Sequence, residues 1–340
     1  MNRLDVIILA AGKGERMKSK KPKVLHEIMG KPMIGYVIER AKELEPNGIT
    51  VVVGFGREEI IPFIGMYDVN FTVQTEQKGT AHAVLCAEGS LRGGDILVLY
   101  GDVPLMDKST LMDFMGFYNR KRAITFMTTS VEDPAGYGRV IMEGEYIKAI
   151  IEDADATPDQ KEVKEINTGI CIIPEGHIRL LKDIKNNNKK GEYYLTDICT
   201  IANERGIDVR GFHYPVASYV LGINSRKELM EANIIMRDRI NLLHLKNGVT
   251  LMDRNVYIDS LVTIERDTVI YPDSYILGKS RIGENVTIGP NTIIKDSIIH
   301  SNVVIRGFSY IDGVEIKEGD VVGIFEDRGN KGVPSDISKS

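Results

Sequence analysis

The sequence predicts an α/β domain with a mostly parallel sheet, followed by a short parallel β-helix. Two observations predict it. Up to about residue 225, short apolar, β-branched runs alternate with helix-like segments, the pattern of a sheet covered on both faces. From about residue 250, isoleucine recurs every six residues, a period that neither an α-helix nor a single strand explains.

The first half reads in order as follows. Val6-Ile7-Ile8-Leu9-Ala10 is a buried strand, Met33 to Leu44 a helix, Thr50 to Val53 a strand, Ala81 to Ala87 a helix and Asp95 to Tyr100 another buried strand. In open sheets of this kind ligands bind beyond the carboxyl ends of the strands. The loops after Leu9, Val53 and Tyr100 are therefore where chemistry is expected. Leu229, Ala232, Met236, Ile240 and Leu243 then fall on one helical stripe, which predicts a connecting helix.

In the second half Ile264, Ile270, Ile276, Ile282, Ile288 and Ile294 keep an unbroken six-residue register. After a five-residue step it resumes at Ile299, Ile305 and Ile311, then Ile316 and Val322. Gly278, Gly283, Gly289, Gly307, Gly313 and Gly319 often follow as turn formers. A triangular prism with one hexapeptide per face and isoleucine inside satisfies this period, over roughly four coils. The expected divisions are 1–225 for the α/β domain, 226–248 for the connecting helix, 249–323 for the β-helix and 324–340 for a disordered tail.

A chain of 340 residues is long enough for two domains with their own cores. The net charge of −5 argues against nucleic acid as a general partner. Cys86, Cys171 and Cys199 are odd in number and far apart, which suggests neither a disulfide framework nor a zinc site. No apolar run is long enough to span a membrane or laid out as a signal peptide, so no membrane partner and a cytoplasmic location are expected.

The first strand runs into Leu9-Ala10-Ala11-Gly12-Lys13-Gly14-Glu15-Arg16-Met17. Small residues there allow backbone N–H groups to approach a phosphate, and Lys13 and Arg16 add positive charge. It is neither a Walker A motif nor a dinucleotide fingerprint, and read alone a structural turn fits it almost as well. Lys21-Pro22-Lys23-Val24-Leu25 follows, with Lys23 held between a proline and an apolar pair. Lys18, Lys20 and Lys21 read as a solvated face.

The string L-A-A-G-K-G-E-R-M followed by K-P-K-V-L resembles the signature of the sugar nucleotidyltransferases, in detail the bacterial N-acetylglucosamine-1-phosphate uridyltransferases, usually the first half of a bifunctional enzyme. Further matches follow in order: Q-T-E-Q-K-G-T-A-H-A from Gln74, L-Y-G-D-V-P-L from Leu99, D-P-A-G-Y-G-R from Asp133, E-I-N-T-G-I from Glu165, N-N-N-K-K-G-E-Y-Y-L-T-D from Asn186 and G-I-N-S-R from Gly222. The resemblance implies a Rossmann-like nucleotidyltransferase domain, a left-handed β-helix and assembly as a homotrimer through that helix. It implies transfer of a uridylyl group from UTP to N-acetylglucosamine 1-phosphate, with Mg²⁺ as cofactor.

By the same resemblance Arg16 and Lys23 are catalytic, and Asp102 and Asn224 hold the metal. Leu9, Ala10, Ala11, Gly12, Gln74, Gly79 and Thr80 bind the nucleotide, Thr80 also capping a helix. Tyr100, Gly101, Gly138, Glu152, Asn167, Thr168 and Tyr194 bind the sugar phosphate. None of the six histidines is required, and His82 and His26 read as structural. No segment matches the family's acetyltransferase motifs, so a single activity is expected. The competing readings are a glucose-1-phosphate uridylyl- or thymidylyltransferase, a non-catalytic β-helix assembly protein and an acyltransferase using the short helix.

Overall fold

The computed structural model describes residues 3–329, which divide into two compact units. The first comprises the chain up to His26 together with Pro32–Glu228; the second comprises Glu27–Lys31 and the chain from Leu229 on. Among the described residues no helix is long and apolar enough to cross a membrane.

The first unit is built on a nine-stranded sheet. Its strands are β1 (Leu4–Ala10), β2 (Gly48–Val53), β3 (Asn70–Val73), β4 (Asp95–Tyr100), β5 (Ile124–Ser130), β6 (Arg139–Glu143), β7 (Tyr146–Ile151), β8 (Glu165–Ile173) and β9 (Val209–His213), in the spatial order β3-β2-β1-β4-β8-β5-β9-β7-β6. The strands β3, β2, β1 and β4 are mutually parallel, as their β-branched runs predict. Strand β8 then enters antiparallel to both β4 and β5. The continuous burial of β1 has a simple cause. Val6, Ile8 and Ala10 face one core, while Ile7, Leu9 and the following Ala11 face the other. The helices Met33–Lys42 and Thr80–Cys86 contribute to opposite cores.

The register Leu9↔Tyr100 and Ala10↔Val53 brings the carboxyl ends of β1, β2 and β4 to one edge. Gly101 N–H donates to Leu9 O at 2.9 Å, and Phe55 N–H to Ala11 O at 3.2 Å, which ties the three following loops together.

In the second unit three parallel ladders of five, five and four short strands run up the chain. Every isoleucine of the six-residue series, and Val322, is buried between them. The stack is longer than four coils because it begins at Thr250–Leu251, before the isoleucine register becomes regular. The five-residue steps, from Ile294 to Ile299 and from Ile311 to Ile316, shorten the later coils: Ile276 pairs with Ile294, 18 positions on, but Ile282 with Ile299 and Ile299 with Ile316, each 17 on. Corners fall at residues with left-handed backbone, among them Asp267, Asp273, Asn285, Asn291, Asp296 and Asn302, residue types that tolerate that conformation. Phe308 and Phe325 occupy two such corners and pack ring on ring at 5.3 Å.

Two expectations change here. The helix Arg226–Lys246 buries Ala232 and Met236, but Leu243 is 58 % exposed. Asn241 and His244 are buried instead; Asn241 Nδ2 donates to the Val256 carbonyl at 3.1 Å and so satisfies a coil backbone group that leucine could not. The tail expected to be disordered from 324 begins with ordered chain. Strand Asp327–Gly329 pairs with Tyr310–Asp312, since hydrogen bonding to the coil below compensates its polar composition. Residues 330–340, the rest of that expected tail, lie outside the described residues.

Candidate active site

The edge where β1, β2 and β4 end opens into a cleft of about 400 Å³. Its lining includes Leu9, Ala10, Ala11, Gly12, Arg16, Lys23, Gln74, Gly79, Thr80, Tyr100, Asp102, Thr168 and Asn224. Thirteen residues expected from the sequence therefore meet in one place. Gly12 faces open space, and Arg16 is exposed in the single turn Glu15–Met17. That turn is held by Arg226, whose Nε donates to Met17 O at 3.2 Å.

The Lys23 ammonium lies between the Asp102 and Asn224 side chains. It donates to Asp102 Oδ2 and, at 3.0 Å, to Asn224 Oδ1. Both carboxylate and ammonium are mostly buried, with side-chain exposures of 11 % and 15 %. The segment around Asn224 is built to hold this arrangement. Ile223 N–H donates to Asp102 O at 2.9 Å, and Asn224 Nδ2 donates to Gly222 O at 2.8 Å. Any Cβ on Gly222 would lie 3.1 Å from the Asp102 carboxylate, so only glycine passes without displacing it. Glu228 accepts from the backbone of Asn224 and Ser225, and Ser225 Oγ accepts from Glu228 N–H at 3.3 Å. This reciprocal cap starts the long helix and fixes the asparagine beside it.

Gln74, which also lines the cleft, is 4 % exposed. Its Nε2 donates to Gly79 O at 3.0 Å and stands 3.0 Å from His82 Nδ1. Gly79 has φ +112°, and a Cβ there would lie 2.5 Å from the Tyr193 backbone. It therefore serves as the cap residue of the helix Thr80–Cys86, correcting the expectation that Thr80 does. The Thr80 hydroxyl accepts instead from Leu195 N–H at 2.9 Å, because the 193–195 segment lies directly over the helix start.

Five expected residues stand outside the cleft lining: Gly101, Gly138, Glu152, Asn167 and Tyr194. Asn167 N–H donates to Gly138 O at 2.9 Å, and Asn167 Oδ1 accepts from Gly169 N–H at 3.0 Å. Glu152 accepts from Thr196 Oγ1 at 3.0 Å. Burial pushes its carboxyl above the ordinary range, and the Thr196 bond offsets part of that. Tyr194 is buried, and no hydrogen bond among the described residues reaches its hydroxyl, which is pushed up to about 12 mainly by burial and then by Asp155 and Glu152. Asp197 is pushed up to about 6 by burial, with Glu152 and Asp155 adding to it. The Tyr100 phenol is also raised, by burial first and then by Cys171, Glu152 and Asp102, so it remains a hydrogen-bond donor near neutral pH.

Sequence reasoning missed other wall residues: Gln77, Gly136, Tyr137, Glu192 and Gly222. All lie inside the segments that carried the resemblance, but none has a side chain whose type alone announces a role. Gln77 Nε2 donates to Gln74 O at 3.3 Å, a contact that only the loop's turn creates. Among the described residues no cluster of three or more His, Cys, Asp or Glu side chains is placed to hold a metal.

The profile of the MobA-like NTP transferase domain matches residues 6–161, and that of the bacterial transferase hexapeptide (six repeats) matches residues 261–296. The bifunctional protein GlmU of Clostridium botulinum (strain ATCC 19397 / Type A) is 40 % identical over 326 residues, covering 94 % of this chain and 71 % of that protein. The bifunctional protein GlmU of Clostridium kluyveri (strain ATCC 8527 / DSM 555 / NBRC 12016 / NCIMB 10680 / K1) is 41 % identical over 325 residues, with the same shares covered. Among solved structures, UDP-glucose pyrophosphorylase complexed with UDP-glucose superposes with a TM-score of 0.56 at 20 % identity, over 70 % of this chain and 100 % of that one. At that identity the likeness is one of fold.

Proposed function

Because this chain belongs to the family of the bifunctional GlmU proteins, we infer that its cleft transfers a uridylyl group from UTP to N-acetylglucosamine 1-phosphate, giving UDP-N-acetylglucosamine and pyrophosphate. The observation that carries the reading is the meeting of Arg16, Lys23, Asp102 and Asn224 with Gln74 and Gly79 around one cleft. Cationic groups, oxygen donors and a buried amide line the same cleft, which suits a nucleoside triphosphate.

The reaction needs placement and charge more than proton transfer. A phosphate oxygen of the sugar phosphate, already ionised at pH 7, forms a bond to the α-phosphorus of UTP. The bond from that phosphorus to the bridging oxygen breaks, and its electron pair leaves with pyrophosphate. Arg16 and Lys23 stabilise the charge that spreads over the phosphoryl oxygens, and the backbone of Ala11 and Gly12 lines the path of the phosphates. The donor pair Asp102 and Asn224 fits a hard cation: their oxygens already converge on one positive charge, the Lys23 ammonium. These two residues would hold Mg²⁺, which when bound supplies further positive charge to the phosphates.

On this reading Tyr100, Gly101, Gly138, Glu152, Asn167, Thr168 and Tyr194 form the sugar side. Glu152 and Asn167 serve as hydroxyl and acetamido partners once substrate enters. The test is pyrophosphate release over a panel of sugar phosphates with UTP and dTTP. N-acetylglucosamine 1-phosphate with UTP should be the best pair; a preference for glucose 1-phosphate or dTTP would replace the substrate assignment.

The reading extends to a homotrimer through the β-helix. Tyr257, Tyr275, Ile293 and Tyr310 stand above one another on an outward face, with the rings of Tyr257 and Tyr275 stacked at 5.7 Å. A face of that composition is suited to packing against copies. Light scattering should give three chain masses, and a monomer would remove the assembly claim.

A further inference from the structure

We propose that His82 is a positioning residue for base selection: it holds the Gln74 amide so that Oε1 is the atom offered to the nucleotide base. The proposal rests on the uridylyl-transfer reading of the cleft.

Gly79 O lies 3.0 Å from one end of the Gln74 amide, and a carbonyl can only accept, so that end is the NH₂. The same nitrogen stands 3.0 Å from His82 Nδ1. Two N–H bonds on one nitrogen then find two acceptors, which requires His82 Nδ1 to be bare and the ring proton to sit on Nε2. His82 Nε2 faces Cys86 Sγ at 3.9 Å, one helical turn along Thr80–Cys86. Burial pushes the Cys86 thiol up, so the sulfur stays a neutral, weak acceptor for that proton.

The chain Cys86–His82–Gln74–Gly79 thus commits both amide protons, and Oε1 is the polar atom of Gln74 left for a ligand. One bond to Gly79 O would let the amide swing about it; the second bond to His82 fixes the plane and hence the direction of Oε1. An acceptor in that direction matches the ring N–H of uracil and opposes the unprotonated ring nitrogen of cytosine. The amide cannot answer by flipping, because its oxygen would then face the Gly79 oxygen.

The experiment compares kcat/KM for UTP and CTP in the wild-type chain, His82→Leu and His82→Asn, with N-acetylglucosamine 1-phosphate and Mg²⁺. Leucine removes the acceptor; the asparagine side-chain oxygen can stand where Nδ1 stood. His82→Leu should lose about tenfold of the preference for UTP, expressed in KM rather than kcat, and His82→Asn should restore most of it. A second readout is the ¹⁵N spectrum of His82 in the wild-type chain near neutral pH, which should show Nδ1 bare and Nε2 protonated. An unchanged UTP:CTP ratio in His82→Leu overturns the proposal, as does a proton found on Nδ1. If His82→Leu does not fold, the ¹⁵N spectrum decides by itself. A wild-type chain that turns over neither nucleotide defeats the uridylyl-transfer reading instead, leaving the tautomer measurement to stand by itself.

Discussion

In the coil unit a residue typically meets partners 17 or 18 positions away, as Val286 meets Thr268 and Ser297 meets Ser280. In the α/β unit Lys23 meets Asp102 and Asn224, 79 and 201 positions distant. The coil repeats one small solution, in which each hexapeptide buries an isoleucine and turns at a left-handed corner. The α/β unit uses its sheet to bring together side chains that have no local reason to be neighbours. A substitution in the coil should therefore act through packing and stability, and one at the cleft through chemistry.

The largest effect that would sharpen this contrast lies at the cleft. Asp102→Ala removes the carboxylate that holds the Lys23 ammonium and is assigned to the cation. Turnover in the pyrophosphate-release assay should fall at least about a hundredfold at a temperature where the variant is still folded, while the Lys23 ammonium left without its carboxylate lowers the melting temperature. Full activity of the wild-type chain in EDTA would break the metal assignment.

In the coil, Ile276→Ala should do the opposite. Ile276 is fully buried in the coil core, and the truncation should cost about 2–5 kcal/mol in denaturant unfolding of that unit. Uridylyl transfer at 25 °C should stay within about twofold of the wild-type rate. A parallel collapse of activity would show that the two units are not functionally separate.

Asp197→Asn probes the acidic surroundings of Glu152. The folded carboxyl sits at about 6 against an ordinary 3.8, so the folded state holds its proton more tightly than the unfolded state does. The associated stability is present below about pH 4 and is lost as pH rises through about 6. Thermal melts should show Asp197→Asn above the wild type at pH 7, with the gap closing by pH 4. A constant gap across that range would remove the burial argument.

The smallest effect belongs to a coil corner. Phe308 holds a left-handed backbone that a bulky side chain disfavours, but its ring packs, tilted, against Phe325. Phe308→Asn should relieve the first and lose the second, for a net gain of about 0.5 kcal/mol in unfolding of the coil unit. A loss above about 1 kcal/mol would mean that the ring contact outweighs the backbone strain.

The six-residue isoleucine register, the apolar run of β1, the strand Asp95–Tyr100 and the start of the helix at Met33 were all legible, because each is a local demand: a period, a buried face or a turn. The glycine-rich loop and Asp102 were legible in part, since strand ends in such sheets gather ligands. Long-range geometry decided the rest. Thr80 looks like a helix cap until the Tyr193–Leu195 segment is seen over it, taking its hydroxyl and pressing on Gly79. Leu243 fits its helical stripe, yet it is exposed and Asn241 is buried, where its amide donates to a coil carbonyl. His82 read as an ordinary structural histidine; its link to Gln74 depends on how residues 74–79 turn the chain between strand β3 and the Thr80–Cys86 helix. Residue order alone determines period, polarity and turn chemistry, since those act over a few bonds. Which hydrogen-bond donor finds which acceptor is settled only when the sheet closes the distance, because a directed bond near 3 Å carries no trace in sequence spacing.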